Sequence, residues 1–176
     1  MLFRSLGLTG KLWAYQNYGI VPDIVCFGKK TQVCGMMVTQ RVDEVENNVF
    51  KEASRINSTW GGGLTDMVRC QKYLEVITEE RLVENAKIVG EYFLNKLESL
   101  KAVSLGVLDN ARGKGLMCAI DANDTVQRDG IYQNCFNSGI ILLKCGVKSL
   151  RFRPSLNFTT AEVDEVIIAL ENATRL

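Results

Sequence analysis

The longest periodic stretch of the chain lies between residues 64 and 100, where apolar residues recur every three or four positions. This spacing places them on one face of an α-helix, and the charged residues opposite are typical of a solvated surface. Thr78 followed by two glutamates resembles a helix N-cap and predicts a break between two helices. The apolar face comprises Met67, Cys70, Leu74 and Ile77, then Leu82, Ala86, Val89, Phe93 and Leu97.

After residue 100 the pattern changes to short apolar runs separated by polar turns, which is typical of a small α/β domain. Two amphipathic helices are predicted in this part, and the second begins at Thr159 and Thr160 with Glu162 nearby, as in a capping box. We predict that the runs 103–108, 116–120 and 150–153 share one sheet, which packs on the preceding helices. The predicted elements are strands at 103–108, 116–120, 140–143 and 150–153, a turn at 111–115, and helices at 125–137 and 160–174.

The first part of the chain contains a short β-branched and aromatic run, residues 24–27, which predicts a buried strand. Gly28 ends this run, and Lys29 and Lys30 follow at once. Partial burial at the end of a strand lowers the pKa of a lysine, and a neutral amine can form a Schiff base with a carbonyl compound. The alternative is that both lysines are solvated loop residues, which the residues alone favour.

Composition and charge narrow the possible functions. The 176 residues suffice for a real core, and 47% hydrophobic with 23% charged residues is ordinary for a globular protein. A net charge of +1 makes no electrostatic case for binding nucleic acid or an anionic membrane. Apolar runs are too short to span a bilayer, and no secretory signal is recognisable. A cytoplasmic location is therefore expected.

Histidine is absent, and no pair of the six cysteines forms a CxxC motif. These two facts argue against a metal site and against a histidine-based catalytic triad. In a reducing compartment the cysteines are expected to be free thiols that behave mainly as buried, small apolar residues.

The string PDIVCFGKK, followed by a turn of small residues, resembles the cofactor-lysine segment of class III aminotransferases, which use pyridoxal phosphate (PLP). In that family the lysine stands four residues before a Gly-Gly pair. Cys34 and Gly35 occupy the pair here, which implies Lys30 as the Schiff-base residue. Side chains alternate in an extended segment, so only one of Lys29 and Lys30 could reach the cofactor. FGKKTQVCGMM is most similar to one subgroup, the L-lysine 6-aminotransferases.

Two further motifs carry the resemblance. NSTWGG resembles the loop that reaches the PLP phosphate of a neighbouring subunit, which implies phosphate binding by Thr59 with Ser58 beside it. LRFRPSL resembles the late arginine motif, whose first arginine, here Arg151, would hold the α-carboxylate of a substrate or of 2-oxoglutarate. Without the resemblance, the first motif is a flexible turn and the second a pair of edge-strand surface arginines. Arg153 receives no role.

The resemblance runs from about Gly7 to the end of the chain and corresponds to the C-terminal part of a family member. GLTGKLWAYQ resembles the segment that follows a D-E-x-Q motif, whose aspartate pairs with the pyridine nitrogen of PLP. This chain has Leu2, Phe3, Arg4 and Ser5 in those positions. The resemblance implies an α/β fold, the C-terminal part of a PLP-dependent transferase of fold type I. Residues 1–63 would be the edge of the large domain, 64–100 connecting helices and 101–176 the small domain.

Two functions follow as hypotheses. The first is an aminotransferase part that moves the terminal amino group of L-lysine, or of a similar ω-amino acid, to 2-oxoglutarate and is inactive alone. The second is a non-catalytic α/β fragment or interaction module derived from that family. In both cases the first 60 residues are expected to associate with another chain, either a second copy or an N-terminal half. The reason is that the strand at 24–27 would otherwise leave an apolar edge unpaired.

Overall fold

A computed structural model of the protein describes residues 6–56, 59 and 61–175. The chain begins with a 3₁₀ turn at Ala14–Tyr18, which Gly19 ends at a φ of 64°. The elements that follow are strands β1 (Ile24–Phe27) and β2 (Gly35–Val38), helices α1 (Leu64–Glu79) and α2 (Leu82–Val103), strands β3 (Leu108–Lys114) and β4 (Met117–Ala122), helix α3 (Thr125–Asn137), strands β5 (Leu143–Cys145) and β6 (Ser149–Phe152), and helix α4 (Thr160–Thr174).

Strands β3 to β6 form one antiparallel sheet in the order β3-β4-β6-β5. Helices α2 and α3 pack against this sheet and α4 packs against both helices, and the core lies between the sheet and these helices. Side chains from both layers are completely buried there, among them Leu97, Leu116, Ile120, Leu150 and Leu170. The prediction that the runs 116–120 and 150–153 share one sheet is therefore confirmed, whereas the run 103–108 reaches that sheet only at Leu108.

The boundaries of two predicted strands were wrong. Residues 103–108 do not form a strand, because α2 continues to Val103 and β3 starts only at Leu108. The predicted turn at 111–115 belongs largely to β3. A bulge around Asn110, which has a φ of 53°, lets these polar residues pair with β4. The strand predicted at 140–143 also lies later in the chain, because β5 spans Leu143–Cys145.

The four long helices lie where the periodicity predicts them, but the break between α1 and α2 differs. Glu80 and Arg81 make this break, and Arg81 adopts a left-handed φ of 52°. Thr78 does not cap α2, because its hydroxyl donates to the carbonyl oxygen of Leu74 within α1. Thr159 caps α4, and Glu162 completes the predicted capping box.

Strands β1 and β2 form a separate two-stranded ribbon, and the prediction that β1 is buried was wrong. Val25 is the one buried residue of β1, whereas the side chain of Ile24 is 56% exposed. The reason is that no further layer of the described chain covers this side of the ribbon. Helix α1 also contains no buried residue.

Three backbone segments meet at glycines next to the core. A Cβ atom on Gly90, in the middle of α2, would lie 2.1 Å from the carbonyl carbon of Gly115 in the β3–β4 turn. A Cβ atom on Gly115 would in turn lie 2.6 Å from the amide nitrogen of Gly10. These close approaches fix the N-terminal segment and the β3–β4 hairpin against α2, and we call this contact the glycine junction.

The cysteines are less buried than the sequence suggests. All six are free thiols, as expected, but Cys118 and Cys135 alone are buried. Burial raises the pKa of Cys118 to about 12 and that of Cys135 to about 11, so both remain protonated. Cys26, Cys34 and Cys145 are exposed, which corrects the expectation of mainly buried thiols. Among the described helices, none combines the length and the apolar character required to cross a membrane.

Candidate functional site

Lys30 lies in a 3₁₀ turn, Lys29–Thr31, directly after β1 and Gly28. The extended conformation assumed for the two lysines was therefore wrong, and the turn decides where each side chain points. Two residues near Lys30 have left-handed backbone: Lys29, directly before it, has a φ of 60°, and Gln32, two residues after it, has a φ of 62°. Non-glycine residues seldom adopt this region. The buried hydroxyl of Thr31 holds the turn by donating to the carbonyl oxygen of Val33 at 2.7 Å. Strained backbone of this kind clusters at functional sites.

Gly28 and Cys34 pack against each other beneath this turn. A Cβ atom on residue 28 would lie 2.8 Å from the sulfur of Cys34, so a larger residue at that position would displace the Cys34 side chain. Cys34 thus fills the space next to the lysine turn.

The Lys30 amine differs from an ordinary surface amine in its charge environment. Partial burial lowers the pKa of Lys30, and the positive charges of Arg153 and then Lys29 lower it further. The residue as a whole is still exposed to solvent. Lys30 therefore combines accessibility with an increased fraction of the neutral, nucleophilic amine.

Arg151 and Arg153 come from β6 and the residue that follows it. Strand β6 lies between β4 and β5, and Arg151 pairs with Ala119 on one side and Leu143 on the other. The interpretation as edge-strand arginines was therefore wrong. Both arginines line a cavity of about 380 Å³ whose other walls are mostly apolar. The Nε atoms of both are buried and have no hydrogen-bond partner in the part of the chain that the structure describes.

These cations share one further property. Within the described residues, no carboxylate forms an ion pair with Lys29, Lys30, Arg151 or Arg153. A half-buried guanidinium without a partner is costly unless a ligand supplies the missing acceptor. The cavity that Arg151 and Arg153 line is thus suited to anionic groups such as carboxylates or phosphates, and Lys29 and Lys30 are not among the residues that line it.

Of the other predicted site residues, Thr59 lies exposed in a turn before α1. Ser58 lies outside the described residues, and so do Leu2, Phe3, Arg4 and Ser5 at the position of the family's acidic motif. No cluster of three or more potential metal-ligating side chains occurs among residues 6–56, 59 and 61–175.

Sequence reasoning missed a polar cluster on the sheet face opposite the helices. Arg112 of β3 donates to Asp121 of β4 at 2.9 Å and to the hydroxyl of Ser149 in β6, also at 2.9 Å. Asn110 donates to the second carboxylate oxygen of Asp121 at 2.8 Å. Burial by itself raises the pKa of Asp121, but the hydrogen bonds from Ser149, Asn110 and Arg112 outweigh it, so that its pKa is lowered. The acidic residue within the otherwise apolar run of β4 was the available signal.

We expect Asp121→Asn to destabilise the fold by about 1–3 kcal/mol at pH 7, because Arg112 and Ser149 lose a buried charged acceptor. A carboxylate with a lowered folded-state pKa stabilises the protein above its unfolded pKa, and this contribution disappears as the pH falls through the folded value. The difference in the free energy of unfolding between the wild type and Asp121→Asn should therefore become smaller below about pH 3.9. Urea denaturation at several pH values measures it.

Asp109→Asn is the matched control, because Asp109 stands directly opposite Asp121 in the β3–β4 register. Its ion pair with Lys101 is exposed, and water and salt screen such pairs so strongly that they contribute little to stability. Equal losses of stability in the two variants would contradict the assigned role of Asp121.

The comparisons with known proteins agree with this geometry. The family description "Aminotransferase class-III" matches residues 5–174, and the chain belongs to this family. An L-lysine-epsilon aminotransferase of Mycobacterium tuberculosis is 50% identical over 167 residues, which are 95% of this chain and 37% of that protein. A probable mitochondrial 4-aminobutyrate aminotransferase of Caenorhabditis elegans is 36% identical over 160 residues, 90% of this chain and 32% of that protein.

Solved structures show the same fold. A lysine aminotransferase from M. tuberculosis in the internal aldimine form matches with a TM-score of 0.91 and 49% identity. The match covers 96% of this chain and 39% of that one. The architecture is thus that of part of a class III aminotransferase, and the chain spans little more than a third of the length of the curated relatives it matches.

Proposed function

We propose that this chain is the C-terminal, lysine-bearing part of a PLP-dependent aminotransferase that moves the terminal amino group of L-lysine, or of a similar ω-amino acid, to 2-oxoglutarate. The observation that carries the proposal is Lys30, an accessible amine whose pKa is lowered by partial burial and by Arg153 and Lys29. The similarity to L-lysine-epsilon aminotransferases supports the choice of amino donor.

The described residues fit PLP in their chemistry. The cofactor carries an aldehyde and a phosphate, which suit a neutral amine and unpaired cations. When bound, PLP supplies an electron sink for the removal of a proton from the substrate. Lys30 would attach the cofactor and move a proton at the substrate carbon, while Arg151 would orient a substrate carboxylate. The hydroxyls of Thr59 and Ser58 would hold the phosphate of a neighbouring subunit.

The proposal includes a partner polypeptide, either a second copy or a chain that supplies the remaining large-domain elements. The β1–β2 ribbon supports this, because Ile24 is 56% and Met37 41% exposed, and Met37 lines a surface groove together with Val21, which is 85% exposed. Exposed apolar residues of this density mark an interaction surface. We place the protein in the cytoplasm, since exposed free thiols such as Cys26 and Cys145 suit a reducing compartment.

The competing function is a non-catalytic module of the same fold. The residues Leu2, Phe3, Arg4 and Ser5 favour it, because none of them can protonate the pyridine nitrogen as the family aspartate does. The two functions differ in whether Lys30 reacts selectively with PLP.

The test is to incubate the chain with PLP, reduce with borohydride and locate the modified lysine by peptide mass spectrometry. We expect one dominant adduct at Lys30, together with an absorbance change before reduction. Lys30→Ala should lose this adduct and Lys29→Ala should retain it. Modification spread evenly over the exposed lysines, or directed to Lys29, would favour the non-catalytic module.

A further inference from the structure

One cavity of the protein combines apolar walls with two cations. Its volume of about 380 Å³ falls within the range of about 300–1,000 Å³ that is typical of small-molecule sites. Arg151 and Arg153 are its charged residues, and no carboxylate, amide or hydroxyl side chain is among the described residues that line it. Both cations therefore line a space in which the described chain itself offers no counter-ion.

Three aromatic rings form one wall of this cavity. The ring of Phe93 in α2 lies 4.9 Å from that of Phe152 in β6 and 6.4 Å from that of Phe158, measured between centroids. Phe93 and Phe152 are almost completely buried, and we call the three rings the aromatic wall. Ile141 also lines the cavity and is 77% exposed, so the cavity extends from the core to the surface. A ligand can therefore bury an apolar body against the aromatic wall.

The segment that carries the two arginines is fixed in position. Arg151 lies in the central strand β6, and Asn85 of α2 anchors the chain beyond Arg153 by donating to the carbonyl oxygens of Leu156 at 2.8 Å and Phe158 at 3.0 Å. The Nε atoms of both arginines are nevertheless buried without a hydrogen-bond partner among the described residues. A buried donor without an acceptor costs free energy, and an anionic ligand would supply the acceptor.

The anion that suits these donors best is a carboxylate. A guanidinium binds the two oxygens of a carboxylate in a planar, bidentate arrangement. A phosphate group carries a larger charge and three strong acceptor oxygens. Since the other walls of the cavity have no hydroxyl or amide side chain among the described residues, part of a phosphate would stay without donors.

We propose that Arg151 and Arg153 together bind the carboxylate of a ligand whose remaining body is apolar and lies against the aromatic wall. The ligand class is thus a monocarboxylate on an aliphatic or aromatic body. This inference goes beyond the proposed function, in which Arg151 alone orients the carboxylate of a substrate and Arg153 has no role. Lys30 does not line the cavity, so amino transfer to this ligand is not part of the inference.

The experiment is a titration of the full chain with 3-phenylpropionate, measured by isothermal titration calorimetry. Two further ligands separate the two contributions to binding: 3-phenylpropanamide has the same apolar body without the charge, and acetate has the charge without the apolar body. We expect one saturable site for 3-phenylpropionate. The other two ligands should bind at least about tenfold more weakly, because each lacks one contribution.

Arg153→Gln should weaken the binding of 3-phenylpropionate about tenfold, because glutamine has neither the charge nor the planar fork of arginine. Binding of 3-phenylpropanamide should stay as weak as in the wild type, which shows that the cavity itself is intact. Arg153→Lys should restore only part of the affinity. Arg175→Gln is the matched control, because Arg175 is exposed, pairs with Glu171 and does not line the cavity.

Four results would overturn the proposal. They are the lack of a saturable site for 3-phenylpropionate, equally tight binding of 3-phenylpropanamide, equally tight binding of acetate or inorganic phosphate, and unchanged binding of 3-phenylpropionate by Arg153→Gln. The second result would mean that the arginines take no part, and the third that the apolar body takes none. If Arg153→Gln does not fold, the comparison of the ligands on the wild type decides.

Titration with 2-oxoglutarate separates this ligand from a substrate of the proposed function. If 2-oxoglutarate binds the cavity more tightly than 3-phenylpropionate, the cavity belongs to the aminotransferase substrate and the inference fails. The PLP adduct at Lys30 is measured separately. Binding of 3-phenylpropionate without a selective adduct would retain this inference and reject the proposed function, and the reverse pair of results would do the opposite.

Discussion

Lys30→Ala is expected to abolish aminotransferase activity in the assembled protein, whereas Lys29→Ala should retain most of it. The assembly consists of this chain and a polypeptide that supplies the remaining large-domain elements, including an acidic residue for the pyridine nitrogen. A positioned general base contributes about 10²–10⁴-fold to the rate, and loss of covalent attachment adds to this. The measurement is the conversion of L-lysine and 2-oxoglutarate in a coupled assay.

The chain without that polypeptide should give no measurable conversion. Covalent attachment at Lys30 alone does not hold the cofactor rigidly, and turnover requires both positioning and a protonated pyridine nitrogen. Residues 2–5 contain no acid that could serve this purpose. Robust turnover by the isolated chain, or restored activity that persists in Lys30→Ala, would contradict the assignment.

Gly90→Ala is expected to destabilise the fold strongly, with a loss of about 3 kcal/mol in the free energy of unfolding. The added Cβ would lie 2.1 Å from the carbonyl carbon of Gly115 and 2.3 Å from its oxygen. Both are backbone atoms, so α2 or the β3–β4 hairpin must move to relieve the overlap. Denaturation in urea followed by circular dichroism measures the change.

Gly130→Ala is the matched control, because Gly130 also lies inside a helix, α3, but has no heavy atom within 4 Å of the added methyl group. Alanine is the better helix former by about 0.5–1 kcal/mol, so this variant should be slightly more stable than the wild type. A Gly90→Ala variant as stable as Gly130→Ala would mean that the glycine junction does not form.

Prediction from the sequence succeeded where local pattern and tertiary packing agree. Helix α4 lies at the predicted residues because an apolar stripe and a capping box coincide, and α3 because Asp124 caps its first turn and Gly139 follows its end. It failed at β3, whose polar sequence LDNARGK contains no strand-like alternation. That segment becomes a strand because β4 supplies a complete ladder of partners and a bulge accommodates Asn110.

For the candidate site too, some features could be predicted from the sequence and others could not. Lys30 and Arg151 could be identified from the sequence, but only through resemblance to a family, since isolated lysines and arginines usually lie on solvated surfaces. The turn that orients Lys30 could not be predicted. Positive φ angles at Lys29 and Gln32 contradict the preferences of both residues and require support from the surrounding structure.

The sequence by itself determined the order of most helices and strands after residue 64. These features depend on periodicity and on contacts between neighbours in the chain. The tertiary structure alone decided that Arg112 and Ser149 meet at Asp121 and that Gly90 receives the β3–β4 turn. Each pair is distant in sequence, and its members come together only because burial of the common core brings α2, the sheet and the N-terminal segment into contact.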